Sequence, residues 1–152
     1  MSGTKEQTNK ALVRRAVEEI WNKGNIQVAD QLTHPTYVGH MPGGQDVTGI
    51  DGVKKAIEGF RSAFPDVHLH IESQVAEGDE VITQLVMKGT QKGPLKTDGK
   101  SQNLPATGKH VSGRGVSRMR IEDGKVVEEW VTWDEQSAME TLGTPGLRPS
   151  YK

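Results

Sequence analysis

In the first part of the chain, apolar residues recur among polar ones with the period of an α-helix. Between residues 11 and 21 the apolar side chains recur every three or four positions, with arginines and glutamates on the opposite side. This spacing predicts a helix that begins after a cap at Thr8 and ends at Gly24. We expect a short helix over 25–32 and a second amphipathic helix over 51–64.

After Pro65 the period changes from that of a helix to that of a β-strand. Apolar and polar residues alternate one by one over 67–75. The same pattern returns over 81–90, 110–121 and 125–133. Gly-containing turn sequences separate the first two stretches and the last two, which is typical of β-hairpins.

Segments rich in glycine, proline and lysine connect these elements. Residues 34–44 contain several helix-breaking residues and are predicted as a loop. Residues 91–108 are predicted as a long connection, either a mobile lid or a solvated loop. A last short helix is expected over 135–142, and residues 144–152 are expected to form an extended tail.

The order of the elements favours an α+β fold. Helices come first and hairpin-linked strands follow, so we expect helices packed on one face of a largely antiparallel sheet. A chain of 152 residues fits one domain, which we place at 9–143, between an N-terminal arm (1–8) and a C-terminal tail (144–152). The strand at 81–87 is apolar on both faces, and its outer face needs a cover, which predicts a homodimer.

Composition and charge exclude several classes of function. The formal net charge is −1, from 19 basic and 20 acidic side chains, so general attraction to nucleic acid or anionic membranes is not expected. The chain has no cysteine, which excludes disulfides and thiolate chemistry. His68 and His70 share a strand face without a third ligand nearby, so no metal site is predicted. Neither a signal peptide nor a membrane span is apparent, and a cytoplasmic location is the expectation.

Several motifs, taken in order, resemble the SnoaL-like polyketide cyclases. They are the Ile20-Trp-Asn-Lys-Gly-Asn end of the first helix, Phe64-Pro-Asp-Val, the Asp123-Gly-Lys-Val-Val hairpin and Trp133-Asp134. The resemblance covers roughly residues 9–143. It implies a nuclear-transport-factor-2-like (cystatin-like) cone, in which a curved, antiparallel-rich sheet wraps around N-terminal helices. It also implies a homodimer or homotetramer that works without a cofactor.

The resemblance further implies a cyclase that closes rings by intramolecular aldol condensation in an apolar pocket. The acid/base aspartate of the family falls at the end of the last strand, which here is Asp134. A partly desolvated carboxylate is basic enough to remove hydrogen from a carbon between two carbonyls. Trp130 shares the strand parity of Asp134 and is a candidate for substrate contact. The alternative for Asp134 is a helix N-cap, because it directly precedes Glu135.

Further candidates lie in the predicted loop and the helices. His40 is the second catalytic candidate, and Tyr37 beside it could orient a carbonyl or protonate an aldolate; an ordinary surface loop is the alternative. Trp21 and Phe60 are candidates for the apolar wall of the pocket, and plain core packing is the alternative for both. Gln84 could face the cavity or the solvent.

One feature departs from the family pattern. A strand row of arginines includes Arg118, which inside the cavity would suit a small, hydrophobic, carboxylate-bearing carbonyl substrate. If the row points outward, it merely solvates the sheet. Two further hypotheses therefore stay open beside the cyclase. One is another chemistry in the same pocket, such as epoxide or ester hydrolysis or isomerisation; the other is a non-catalytic small-molecule-binding dimer module.

Overall fold

The computed structural model describes residues 4–97 and 103–152. Its described part contains helices α1 (Lys5–Arg15), α2 (Val28–Leu32), α3 (Gly49–Ala63) and α4 (Glu135–Thr141). The strands are β1 (Thr33–Met41), β2 (Gln45–Thr48), β3 (His68–Glu77), β4 (Glu80–Thr90), β5 (His110–Glu122) and β6 (Lys125–Trp133). A π-helical segment (Ala16–Asn22) continues α1, and a short 3₁₀ turn (Pro42–Gly44) joins β1 to β2.

The six strands form one curved, unclosed mixed sheet in the order β2-β1-β6-β5-β4-β3. Neighbouring strands are antiparallel except β1 and β6, which are parallel. The helices α1 and α3 cover the concave face of this sheet, and the apolar stripe of α3 carries the buried Ile57 and Phe60. The prediction of an α+β fold is confirmed. None of the helices in the described ranges is long and apolar enough to cross a lipid bilayer.

Residues 34–44 differ most from the prediction, because most of them form β1 rather than a loop. The strand pairs with β2 on one side and with β6 on the other, as in the registers Val38–Glu128 and His40–Trp130. These pairings join segments about ninety residues apart, so local breaker residues do not decide the conformation. Pro35 lies where the β1–β6 register is interrupted, and its missing N–H costs no ladder bond there.

The first helix begins earlier than the sequence pattern suggested. Thr4 is its N-cap rather than Thr8, since the Thr4 hydroxyl accepts from the Gln7 amide and the Gln7 side chain accepts from the Thr4 amide. Residues 5–8 of the predicted N-terminal arm are therefore helical. At the other end of this helix, the Asn22 side chain exchanges two hydrogen bonds with the backbone of Leu69, which fixes the helix against β3.

The end of β6 is accommodated by two glycines on the neighbouring strand. Trp133 points toward the helices and lies against Gly113 and Gly115 of β5, where a methyl group would contact its side chain. The predicted tail is also packed rather than free, because Tyr151 is only 6% exposed and belongs to the main core cluster. Both features shape one end of the space between the helices and the sheet.

Candidate active site

The helix layer and the concave face of the sheet enclose a cavity of about 190 Å³. Its walls are almost entirely apolar, with Trp21 and Phe60 from the helices and Met87, Met119 and Trp133 from the strands. The rings of Trp21 and Phe60 meet edge to face at 6.2 Å, and Phe60 meets Trp133 in the same way at 6.3 Å. The cavity is therefore an apolar, aromatic-walled pocket of the kind that binds small molecules.

Among the described residues, Glu129 contributes the one carboxyl group that lines this cavity. Glu129 lies on the inward face of β6 together with Val131 and Trp133. The two strands beside β6 each supply a hydroxyl: Tyr37 Oη of β1 donates to Glu129 Oε1 at 2.7 Å, and Ser117 Oγ of β5 donates to Oε2 at 2.9 Å. Both donors are buried. The sheet order thus places one donor on each carboxylate oxygen.

The environment makes Glu129 a stronger base than an ordinary glutamate. Burial raises the pKa of Glu129 above its usual 4.5, and the hydrogen bonds from Tyr37 and Ser117 oppose part of that rise. Burial raises the pKa of Tyr37 well above its usual value, and the neighbouring Glu129 charge adds to the effect. The raised pKa keeps Tyr37 a neutral donor near neutral pH.

Asp134 lies outside the cavity, and the expectation that it opens into the pocket is wrong. Its carboxylate accepts a hydrogen bond from the Ser137 amide at 3.1 Å and forms the N-cap of α4. Hydrogen bonds from the Ser137 side chain and backbone lower the pKa of Asp134, and the side chain is exposed. The helix-cap alternative is what the structure contains.

His40 and Trp130 lie on the outer, convex face of the sheet and not in the cavity. The His40 ring stacks on the Trp130 indole at 5.5 Å, and its nitrogens contact Glu128 at 2.8 Å and Asp46 at 3.1 Å. The bond to Glu128 is the main cause that raises the pKa of His40 above its usual value. His40 is therefore bound to acidic partners on a surface that the pocket does not reach.

Arg118 and Gln84 also lie on the outer face. The Arg118 guanidinium covers the Trp130 ring at 3.9 Å and pairs with Glu80 at 3.6 Å. Gln84 accepts a hydrogen bond from Ser73 at 2.8 Å. Among the described residues no lysine, arginine or histidine lines the cavity, so the predicted recognition of a substrate carboxylate by Arg118 is wrong.

The structure places Trp21, Tyr37 and Phe60 around the cavity, and their contact with a substrate stays a prediction. It adds Glu129, Ser117 and Tyr151, which the sequence pattern did not single out. A signal for Glu129 does exist, because it shares its parity with Val131 and Trp133 and is the one acidic residue in that apolar stripe. Nothing in the sequence marks Tyr151. Within 4–97 and 103–152, no three potential metal ligands gather into a cluster.

The sequence and the overall fold of the chain are similar to those of known proteins. Aklanonic acid methyl ester cyclase DnrD of Streptomyces peucetius is 28% identical over 141 residues, covering 91% of this chain and 92% of DnrD. A solved structure of a candidate SnoaL-like polyketide cyclase from Jannaschia sp. CCS1 has a TM-score of 0.83 at 24% identity, covering 95% of this chain and 98% of that chain.

A Catenulispora acidiphila protein with a ketosteroid isomerase-like fold has a TM-score of 0.70 at 16% identity, covering 88% of this chain and 93% of that chain. These likenesses confirm the predicted nuclear-transport-factor-2-like cone. The model of the SnoaL-like polyketide cyclase family matches residues 11–142 of this chain. The chain therefore belongs to the SnoaL-like polyketide cyclase family.

Proposed function

We propose that this protein closes a ring in a polyketide-type carbonyl substrate by cofactor-independent acid/base catalysis, with Glu129 as the group that moves the proton. The observation that carries the proposal is a hydroxyl-bound carboxyl group in an otherwise apolar cavity. A relative, DnrD, is named as a cyclase, which supports the same class of reaction. Asp134 and His40 are not part of this proposal, because neither lines the cavity.

The reaction is the ring-closing addition step of an intramolecular aldol condensation. The Glu129 carboxylate takes a proton from a substrate carbon between two carbonyls, and the electron pair of that C–H bond becomes an enolate. The enolate carbon forms a bond to a second carbonyl carbon of the same molecule, whose oxygen becomes an aldolate. The aldolate oxygen then receives the proton from Glu129, and Glu129 becomes a carboxylate again.

The two hydroxyls have a role in both halves of this cycle. While Glu129 is ionised, Tyr37 and Ser117 each donate to one of its oxygens and hold the carboxylate in place. When Glu129 takes up a proton, one oxygen becomes a donor and the carboxyl needs only one of the hydroxyls. The released hydroxyl can then donate to the developing charge on a substrate oxygen. The apolar walls keep water away from the enolate and fold the substrate so that its two carbons meet.

A single carboxyl group favours this reaction over hydrolysis. A water-activating hydrolase needs further carboxylate or amide groups to hold the water, and within the described residues Glu129 is the only carboxylate in the lining. A non-catalytic binding module would be consistent with Asp134 as a cap, but it gives no reason for a half-buried glutamate that accepts from two hydroxyls. Proton transfer at carbon is the chemistry that this arrangement supports best.

The test compares two carboxylate-to-amide variants. The substrate is an aryl β-diketone with one aromatic ring and a pendant ketone placed to close a second ring. We expect Glu129→Gln to lower kcat/KM by about 100-fold or more, because the amide cannot accept the proton. Asp134→Asn is the matched control and should stay within about threefold of wild type, since asparagine is also a good N-cap. Full activity of Glu129→Gln would refute the proposal, and loss of activity only in Asp134→Asn would return the role to Asp134.

We also propose that a second copy of the chain covers the outer face of the sheet. Val75, Ile82 and Val116 are 64%, 42% and 39% exposed there. The same face carries both charge signs, as in the pairs Arg114–Glu72 and Arg118–Glu80. A twofold-related copy can therefore meet an apolar centre and opposite charges at once, which supports a homodimer.

A further inference from the structure

Residues 144–152 pack across one end of the cavity and are held on both sides; we call them the strap. Gln45 donates to the Pro149 carbonyl at 3.0 Å and accepts from the Tyr151 amide at 3.0 Å. The Ser150 amide donates to the Lys96 carbonyl at 2.8 Å. Arg148 pairs with Glu135 at 3.0 Å. These contacts fix the backbone on either side of Tyr151.

Tyr151 fills the gap between the helix layer and the sheet. Its ring stacks on Phe60 of α3 at 5.7 Å with an interplanar angle of 24°. Its hydroxyl donates to Glu135 at 2.5 Å and accepts from the Trp133 indole N–H at 2.6 Å. Burial and the bond to Glu135 raise the pKa of Tyr151 above its usual value, so the ring stays neutral. Because its hydroxyl is already occupied, Tyr151 acts on the cavity as a wall and not as a donor.

This wall stands well away from the polar group of the cavity. Glu129 and Trp133 lie on the same face of β6, four residues apart, which corresponds to about 13 Å along the strand. The Tyr151 hydroxyl is bound directly to Trp133. A ligand that places an oxygen near Glu129 and extends along β6 toward the strap would meet the Tyr151 ring.

The volume between these two ends sets the size of the ligand. A cavity of about 150 Å³ is known to hold a benzene molecule, and pockets for drug-sized ligands begin at about 300 Å³. At about 190 Å³ this cavity lies nearer to the first value. The lining includes one carboxyl group and, within the described residues, no cation, so an anionic ligand would meet an uncompensated negative charge.

We propose that Tyr151 determines specificity by closing the cavity, so that this protein takes neutral ligands of one or two rings with an oxygen at the Glu129 end. The inference rests on the proposed function only in treating this ligand as the substrate. The size limit itself concerns binding and can be measured without turnover.

The test measures binding of two neutral phenols by calorimetry, naphthol with two rings and hydroxyanthracene with three. We expect wild type to bind naphthol more tightly by about tenfold or more, because the third ring has no space. In Tyr151→Ala we expect this preference to fall by about tenfold or to reverse. Tyr151→Phe is the matched control and should keep the wild-type ratio, since it removes the hydroxyl and retains the ring.

Folding is checked by circular dichroism. If Tyr151→Ala is unfolded, Tyr151→Leu replaces it, because leucine keeps an apolar side chain there without the ring, and the same change is expected. Equal binding of the two probes by wild type, or an unchanged ratio in the folded ring-deleted variant, would overturn the inference. If wild type binds naphthol but does not turn over the β-diketone substrate, the proposed function is contradicted and the size limit is still supported.

Discussion

At the scale of single residues, the face of β6 that a carboxyl group occupies decides whether it can act in the cavity. Glu129 lies on the inner face and lines the cavity, whereas Asp134 does not. Strand alternation puts Trp130 and Glu129 on opposite faces of β6, but alternation alone does not say which face is inside. An indole occurs on each face, Trp130 outward and Trp133 inward, so aromatic content does not settle it. The sequence therefore predicts the pocket and part of its wall, and the registers of β1 and β5 are needed to find Glu129.

The raised pKa of Glu129 gives a stability prediction with a definite sign. Below its usual pKa of 4.5 the carboxyl is neutral in both the folded and the unfolded chain. Between 4.5 and the raised folded value, the unfolded chain has lost the proton and the folded chain keeps it, so folding becomes less favourable as pH rises. Glutamine at this position has no such dependence. We therefore expect wild type to lose stability relative to Glu129→Gln on going from about pH 4 to about pH 8.

Thermal unfolding of the two proteins across this range measures the difference directly. Each unit by which a pKa is raised corresponds to about 1.4 kcal/mol. A wild-type protein that gains stability over Glu129→Gln as pH rises would contradict a raised pKa. Asp134→Asn serves as the control, because its wild-type pKa is shifted in the opposite direction.

At the scale of elements, local periodicity predicts the helices and the hairpin strands but not β1. The helices and β3 to β6 show the apolar period of a helix or a strand in their own residues. Tight turns join β3 to β4 and β5 to β6, which pair directly with each other. The pairing of β1 with β6 joins segments about ninety residues apart, and β1 contains Pro35 and Gly39. Its strand conformation therefore depends on the assembled sheet, as does the presence of Tyr37 in the cavity.

The two glycines of β5 give a matched test of how Trp133 is accommodated. A methyl group at Gly115 would lie 2.8 Å from the Trp133 Cβ and 3.0 Å from the Thr132 carbonyl oxygen. At Gly113 the nearest atom would be a Trp133 ring carbon at 3.3 Å, which a small movement relieves. We expect Gly115→Ala to cost about 1–3 kcal/mol of unfolding free energy and Gly113→Ala clearly less, as measured by urea denaturation. Equal costs would show that Trp133 does not restrict this strand.

At the scale of the whole molecule, the sheet divides two tasks between its faces. The concave face and the helices enclose the cavity, and the convex face presents apolar residues between charges of both signs. One row across the sheet runs through Val75, Ile82, Arg118, Trp130 and His40 in register. The strand at 81–87 is apolar on both faces because one face lines the cavity and the other belongs to this exposed row. The homodimer stays a prediction.

Light scattering after size exclusion tests that homodimer. We expect wild type to have twice the chain mass and Ile82→Lys to have the mass of one chain, because a lysine would place an unpaired charge in the apolar centre. Glu58→Gln changes the net charge by the same amount on the exposed side of α3 and should stay dimeric. A monomeric wild type, or an Ile82→Lys variant of unchanged mass, would contradict the proposed interface.

In the proposed mechanism, Glu129 removes a proton from carbon inside the cavity. Hydrogen–deuterium exchange at the carbon between the two carbonyls of benzoylacetone, a one-ring β-diketone, isolates this step and is followed by NMR in D₂O. Wild type is expected to accelerate this exchange about 100-fold or more over Glu129→Gln, with Asp134→Asn close to wild type. Exchange at the same rate with wild type and Glu129→Gln would rule out Glu129 as the base.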